Sequence, residues 1–166
     1  MSSSIRTSRL IEVEHIRIES ARVIDDVRIA LETIVPQRDA TISDALAKAD
    51  IGRVEQERQQ GPKLVLFLTR SHGRLLAIYG RACKAYQYEI GNPITAASMT
   101  QHELAASLYA PLRVALYEDN RGLGVIEYDR PSSLFGQFGD ERVTEVARGL
   151  DASLEDILQR AAEGVI

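Results

Sequence analysis

The chain is short of several residue types, and each shortage removes a class of protein. Among 166 residues there is one cysteine, Cys83, so neither an intrachain disulfide framework nor a multi-thiolate metal site can form, and a reducing cytoplasm is the expected setting. Lysine is nearly absent, with Lys48, Lys63 and Lys84 alone beside a set of arginines, and the formal net charge is -4. A phosphate-backbone binder draws its affinity from clustered Lys and Arg that release counterions, so nucleic acid is not an expected partner. No apolar run approaches the roughly 20 residues a membrane span needs, and the start Met1-Ser2-Ser3-Ser4-Ile5-Arg6 has no apolar signal core. The chain reads as soluble and cytoplasmic, with no membrane partner, metal or cofactor expected.

What is present is ordinary for a globular domain, with 45% apolar and 27% charged residues. Residues 1–10 are polar and read as a disordered tail, leaving 11–166 as a single domain. Val13 to Glu19 alternates apolar and polar residues as a strand with one buried face does. Ser20 is placed to cap a following helix in which Val23, Val27, Ala30, Leu31 and Ile34 share a stripe, and Pro36 stops it. Between about 36 and 62 the composition turns small and polar, which predicts a helical insertion built around Ile42, Ala45, Leu46 and Ala49.

Lys63 to Thr69 is almost continuously apolar and predicts a strand covered on both faces. A short helix over Arg74 to Tyr79 then leads to a strand over Ala85 to Ile90, and Asn92 with Pro93 behind it opens the next helix. Leu112 to Glu118 and Gly124 to Tyr128 flank Asp119-Asn120-Arg121-Gly122, a hairpin signature. From Asp140 onward Val143, Val146, Ala147, Leu150, Leu154, Ile157, Leu158 and Ala161 recur at helical spacing, the clearest periodicity in the chain.

Three segments carry a family resemblance: Tyr88-Glu89-Ile90-Gly91-Asn92-Pro93, then Pro111-Leu112-Arg113-Val114-Ala115-Leu116-Tyr117-Glu118-Asp119, then Tyr128-Asp129-Arg130-Pro131. The chain resembles the domain of unknown function 302 family. That resemblance implies an α+β two-layer sandwich, in which helices including the long C-terminal one pack on one side of a curved, mainly antiparallel sheet of about five strands. It also implies a homodimer. Periodicity by itself fits parallel βαβ units equally well. The difference matters, because parallel strands put His72 and Asn92 at one edge of the sheet, whereas antiparallel strands put Asn92 with Asp129, Arg130 and Ser132.

The candidate chemistry follows from these positions. Gly91-Asn92-Pro93 leaves the first-turn amides of Ile94 and Thr95 available to an anion, or to the Asn92 side chain as a cap. His72, at a strand end before Gly73, suits an acid or base role, although no second ligand stands at metal-binding spacing. Phe135 and Phe138 serve either as a lid or as core, and Tyr86 and Tyr88 point to one face of their strand. The expected function is a homodimeric module that binds a small anionic ligand through Asn92, Arg130 and Ser132, with His72 at the other edge. The alternatives are an enzyme using His72 as acid or base, and a purely structural interaction protein.

Overall fold

The computed structural model describes residues 4–166. Residues 1–3 of the expected tail lie outside the described residues, and residues 4–14 have no regular secondary structure. This segment runs beside the stretch before the last helix, where the Arg9 guanidinium donates to Gln137 Oε1 at 3.0 Å.

Five strands form one sheet in the order β1-β5-β4-β3-β2, with every neighbouring pair antiparallel. They are β1 (His15–Val23), β2 (Val65–Ser71), β3 (Ala85–Gly91), β4 (Leu112–Glu118) and β5 (Leu123–Asp129). The antiparallel arrangement implied by the resemblance is the observed one, and the parallel alternative is excluded. Strands β4 and β5 join through a tight turn in which Gly122 adopts φ 78°, a left-handed conformation open to glycine at little cost.

Helix α1 (Ile24–Ile34) and the long α7 (Glu141–Glu163) pack together across one face of the sheet. On α7 the predicted stripe is the buried one: Val143, Ala147, Leu154, Leu158 and Ala161 are fully enclosed, and Val146 and Ile157 pack at its margins. Each large aliphatic buried there stabilises the fold by about 1.5–3 kcal/mol. Asp140 caps the helix, its carboxylate accepting from Arg142 N at 2.9 Å. Opposite α1, Gly124 of β5 lets the helix approach closely, since a Cβ there would stand 2.9 Å from Val27 Cγ2.

Two local expectations are corrected. Ser20 does not cap α1, because β1 continues to Val23; the buried Ser20 hydroxyl instead donates to Ala162 O at 2.6 Å, tying the irregular end of β1 to α7. Strand β2 is not covered on both faces. It is an edge strand whose second half is exposed, and its outer rim is partly occupied by the chain at Pro36–Arg38, where Leu66 N donates to Pro36 O at 2.8 Å and Arg38 N to Leu66 O at 2.9 Å. That pairing satisfies the free ladder groups that an edge strand presents. The segment at 36–62 holds two helices, α2 (Ala40–Ala47) and α3 (Ile51–Gln60), with Ile42 and Ala45 buried. The short helix before β3 is α4 (His72–Leu75), continued as a 3-10 turn over Leu76–Tyr79.

Candidate functional site

The end of the sheet where β3 and β5 finish is built by Gly91-Asn92-Pro93. Asn92 stands at the N-terminus of α5 (Pro93–Thr100) in extended conformation, and proline at the first helical position fills a place where no backbone donor is needed. The Asn92 side chain is fully engaged. Its Oδ1 accepts from Ile94 N at 2.9 Å and Thr95 N at 3.1 Å, and its Nδ2 donates to Pro62 O at 3.2 Å and Lys63 O at 3.3 Å. One side chain thus caps α5 and fastens it to the loop that leads into β2. The first-turn amides expected to receive an anion are taken by this cap.

Beside Asn92 lies a cavity of about 220 Å³, walled by α5 through Thr95, Ala96 and Met99, by the 3-10 segment Leu104–Tyr109 through Tyr109, and by Phe135 and Leu150. Its floor is the sheet end at Gly91, Pro111 and Leu112, with Phe67 closing one side. The lining is almost wholly apolar. Phe135 and Met99 are buried in the core, and Tyr109 meets Phe135 edge to face at 6.0 Å between ring centroids.

A second cavity of about 290 Å³ adjoins the first, sharing Asn92, Thr95 and Leu150. Its walls are mixed, with polar and charged groups among apolar ones. Lys63 and Arg58 contribute cations, Glu57 a carboxylate and Ser153 a hydroxyl, while Gly149 of α7 leaves one wall open, with nothing within 4 Å of where its Cβ would stand. Lys63 makes no ion pair among the described residues, and Arg58 has only a loose one to Glu55 at 3.8 Å. An apolar chamber therefore adjoins a vestibule with available positive charge.

The sequence-predicted residues separate. Strand direction puts Asn92 and Arg130 at the same end of the sheet and His72 at the other. Neither cavity beside Asn92 reaches Arg130 or Ser132. Arg130 is held by Glu14 at 2.7 Å and Glu155 at 3.6 Å, and the Ser132 amide donates to Asp151 Oδ1 at 2.8 Å, so both bind the start of α6 (Pro131–Phe135) to its surroundings. His72 lies on the helix-free face of the sheet, at the margin of a polar depression with His15, Arg113 and Tyr117.

That open face is laced by side-chain pairs across β1, β4 and β5. Glu127 is the hub, accepting from the Tyr117 hydroxyl at 2.6 Å and from Arg17 at 2.8 Å, and its second oxygen lies 3.2 Å from His15 Nε2. Hydrogen bonds from Tyr117 and Arg17 hold the Glu127 carboxyl below its ordinary range. His15 also meets Asp129 through Nδ1 at 2.8 Å, and the hydrogen bond to Asp129, then that to Glu127, raises the imidazole above its ordinary value. On the covered face Tyr88 is wholly buried and donates to Glu32 at 2.9 Å, and burial foremost pushes its phenol well up.

Sequence reasoning missed Lys63, Arg58, Met99 and Tyr109 as cavity residues. Met99 was legible only as a helix residue, while Arg58 lay in the predicted insertion and Lys63 at the start of a predicted strand; no motif joins them, because the chamber is assembled from five separate stretches of chain. Phe135 was weighed as lid or core and is both buried and part of the chamber wall.

Comparison with curated proteins finds no match. Among solved structures the fold is similar to the crystal structure of an uncharacterized conserved DUF302 protein from Bacillus stearothermophilus, at 19% identity and a TM-score of 0.63, covering 89% of this chain and 97% of that one. No helix among the described residues is long and apolar enough to cross a membrane. The family described as Domain of unknown function DUF302 matches residues 51–161, a span that holds β2 to β5, the chamber and most of α7, and the chain belongs to that family.

Proposed function

We propose that the protein is a binding module for a small amphipathic acid, whose apolar body occupies the chamber beside Asn92 and whose anionic group faces the vestibule at Lys63 and Arg58. The observation that carries this reading is the pairing of the two cavities: a partly open apolar pocket walled by core residues, adjoining one of mixed lining whose Lys63 ammonium makes no ion pair among the described residues. A dry cavity of about 150 Å³ is enough to take benzene, so about 220 Å³ suits one ring or a short branched chain. Water in such a space gains few hydrogen bonds, and its replacement by apolar atoms is favourable. Asn92 acts here by position, holding the common wall of both cavities.

The expected anionic ligand is thereby kept, with its charge read by Lys63 and Arg58 in place of Arg130, Ser132 and the α5 amides. A cytoplasmic setting belongs to the same reading, supported by Cys83 as a free thiol. So does a homodimer, supported by the exposed Leu75, Ile78 and Tyr79 on one segment and Leu104 and Leu108 on another. Light scattering at micromolar concentration reads the dimer directly, and a monomer mass ends that part of the proposal.

Calorimetric titration with phenylacetate tests the site. Saturable binding is expected for the native chain. Ala96→Leu, which adds three carbons into the chamber, abolishes it, and Lys63→Gln weakens it by about fivefold, the scale of one exposed ionic contact. Binding that survives Ala96→Leu unchanged, or no binding at all, refutes the reading.

A further inference from the structure

We infer that the open face of the sheet carries a second, separate binding site for a small oxyanion, floored by Ala115 and held by the Arg113 guanidinium. The depression follows from strand register. Across β3, β4 and β5 the row Gln87, Ala115, Glu127 has long side chains at its ends and a single methyl in its centre, and the neighbouring row places Ala85 opposite Tyr117. Two alanines among long polar residues leave a depression of about 410 Å³ on an otherwise filled surface.

The chemistry of the occupant is set by which groups remain free. Every carboxylate beside the depression already has a partner: Glu89 has the Arg70 guanidinium at 2.6 Å, Glu127 has that of Arg17 at 2.8 Å, and Asp129 has the His15 imidazole at 2.8 Å. The acceptor oxygen of Gln87 is taken as well, by Arg70 at 3.2 Å. Arg113 projects from β4 into the same depression, directly across from Glu89, yet among the described residues its guanidinium makes no ion pair and no side-chain hydrogen bond. The Gln87 amide nitrogen and the His72 ring are equally free of side-chain partners there. The unspent groups are mainly donors, and one of them is a planar, permanently charged fork.

A fork of that geometry matches the two oxygens of a carboxylate or a phosphoryl group, and charge assistance makes such bonds shorter and stronger than neutral ones. Paired carboxylates around it repel an incoming anion far less than free ones would. His15 contributes by holding Asp129 and Glu127 in place, which keeps both away from Arg113; it is a positioning residue and not a contact. The site lies on the helix-free face of the sheet and shares no lining residue with the chamber beside Asn92, so it stands whether or not that chamber binds an acid.

Titration of the ¹⁵N-labelled chain with inorganic phosphate, and separately with succinate, tests the inference by amide shifts. Saturable shifts are expected at Gln87, Ala115 and Glu127, with Thr95 and Ala96 unmoved. Arg113→Gln weakens the response about tenfold, the scale of a lost charge-assisted contact, and Ala115→Leu removes it by filling the floor, while both variants keep the native melting temperature. Tighter binding of phosphate assigns a phosphoryl group, and tighter binding of succinate a carboxylate; either supports the site. Ala96→Leu, which closes the other chamber, leaves these shifts intact. The inference is overturned if neither anion saturates, or if Arg113→Gln binds as the native chain does.

Discussion

In β4, one residue step separates two environments. Leu112, Val114 and Leu116 enter the helix layer and are at most 4% exposed, whereas Arg113, Ala115 and Tyr117 between them face the open side. The covered face is stabilised by area removed from water, which is non-directional and large. The open face is organised by directional pairs in solvent, which contribute little to stability but fix where each charge stands. The two proposed sites accordingly differ in kind. The one at the covered end of the sheet is a gap in apolar packing, and the one on the open face is a gap in a charge network.

The sharpest test of this contrast is a pair of truncations in the same strand. Leu116→Ala should destabilise the fold by about 2–5 kcal/mol, because the surrounding core cannot close over the lost volume. Arg113→Ala should stay within about 0.5 kcal/mol, since no packing depends on it. Urea unfolding of both variants reads the difference, and equal losses would mean that the open face is not open in solution.

Asn92→Ala is expected to fall between these, at about 1–2 kcal/mol, because it removes a helix cap together with the tie to Pro62 and Lys63. It should also raise hydrogen exchange in the first turn of α5. A variant as stable as the native chain would show that the cap and tie contribute nothing in solution. Gly149→Ala should act in the opposite sense, stabilising α7 by about 0.5–1 kcal/mol, since a methyl there meets open space. Destabilisation instead would mean that the vestibule is filled.

How legible these features were from sequence depended on whether the signal was local. Periodicity in α7 was readable because burial repeats along a single helix, and the Asn92-Pro93 helix start and the β4–β5 hairpin were readable because turn and cap chemistry are written in adjacent residues. Ser20 misled for a physical reason: a serine before an apolar stripe is a cap by every local rule, and only a distant carbonyl, Ala162 O, took its hydroxyl into another bond. The apolar run at Lys63 to Thr69 misled likewise, because an apolar run does not tell a central strand from an edge one: only the first residues of β2 are buried, and its rim is paired by Pro36–Arg38 from another part of the chain. Asn92 was placed at the correct structural junction, but its neighbours were not, since Arg58 reaches the vestibule from α3 and Lys63 from the loop before β2, a juxtaposition that no spacing encodes.

The smallest expected effects are the pH responses of the two regions, and their signs differ. Asp140 at the start of α7 is held down at about 2, foremost by the hydrogen bond from Arg142, against an ordinary 3.8. Its contribution is present above 3.8 and is lost as pH falls toward about 2. His15 on the open face is raised above 6.5, so its contribution is full below that value and fades as pH rises through the folded-state value. Unfolding measured across pH should show the acid loss diminished in Asp140→Ala and the alkaline decline diminished in His15→Gln. Unchanged profiles would remove these pairings from the account.

The central claim is that the space beside Asn92 receives the apolar part of a ligand, and the most direct measurement is an intermolecular nuclear Overhauser experiment between phenylacetate and the methyl-labelled protein. Contacts from the ring protons to the Met99 and Ala96 methyl groups, absent for methyls on the open face such as Ala115, are predicted. Ring contacts confined to the surface, or to Ala115 alone, would contradict it.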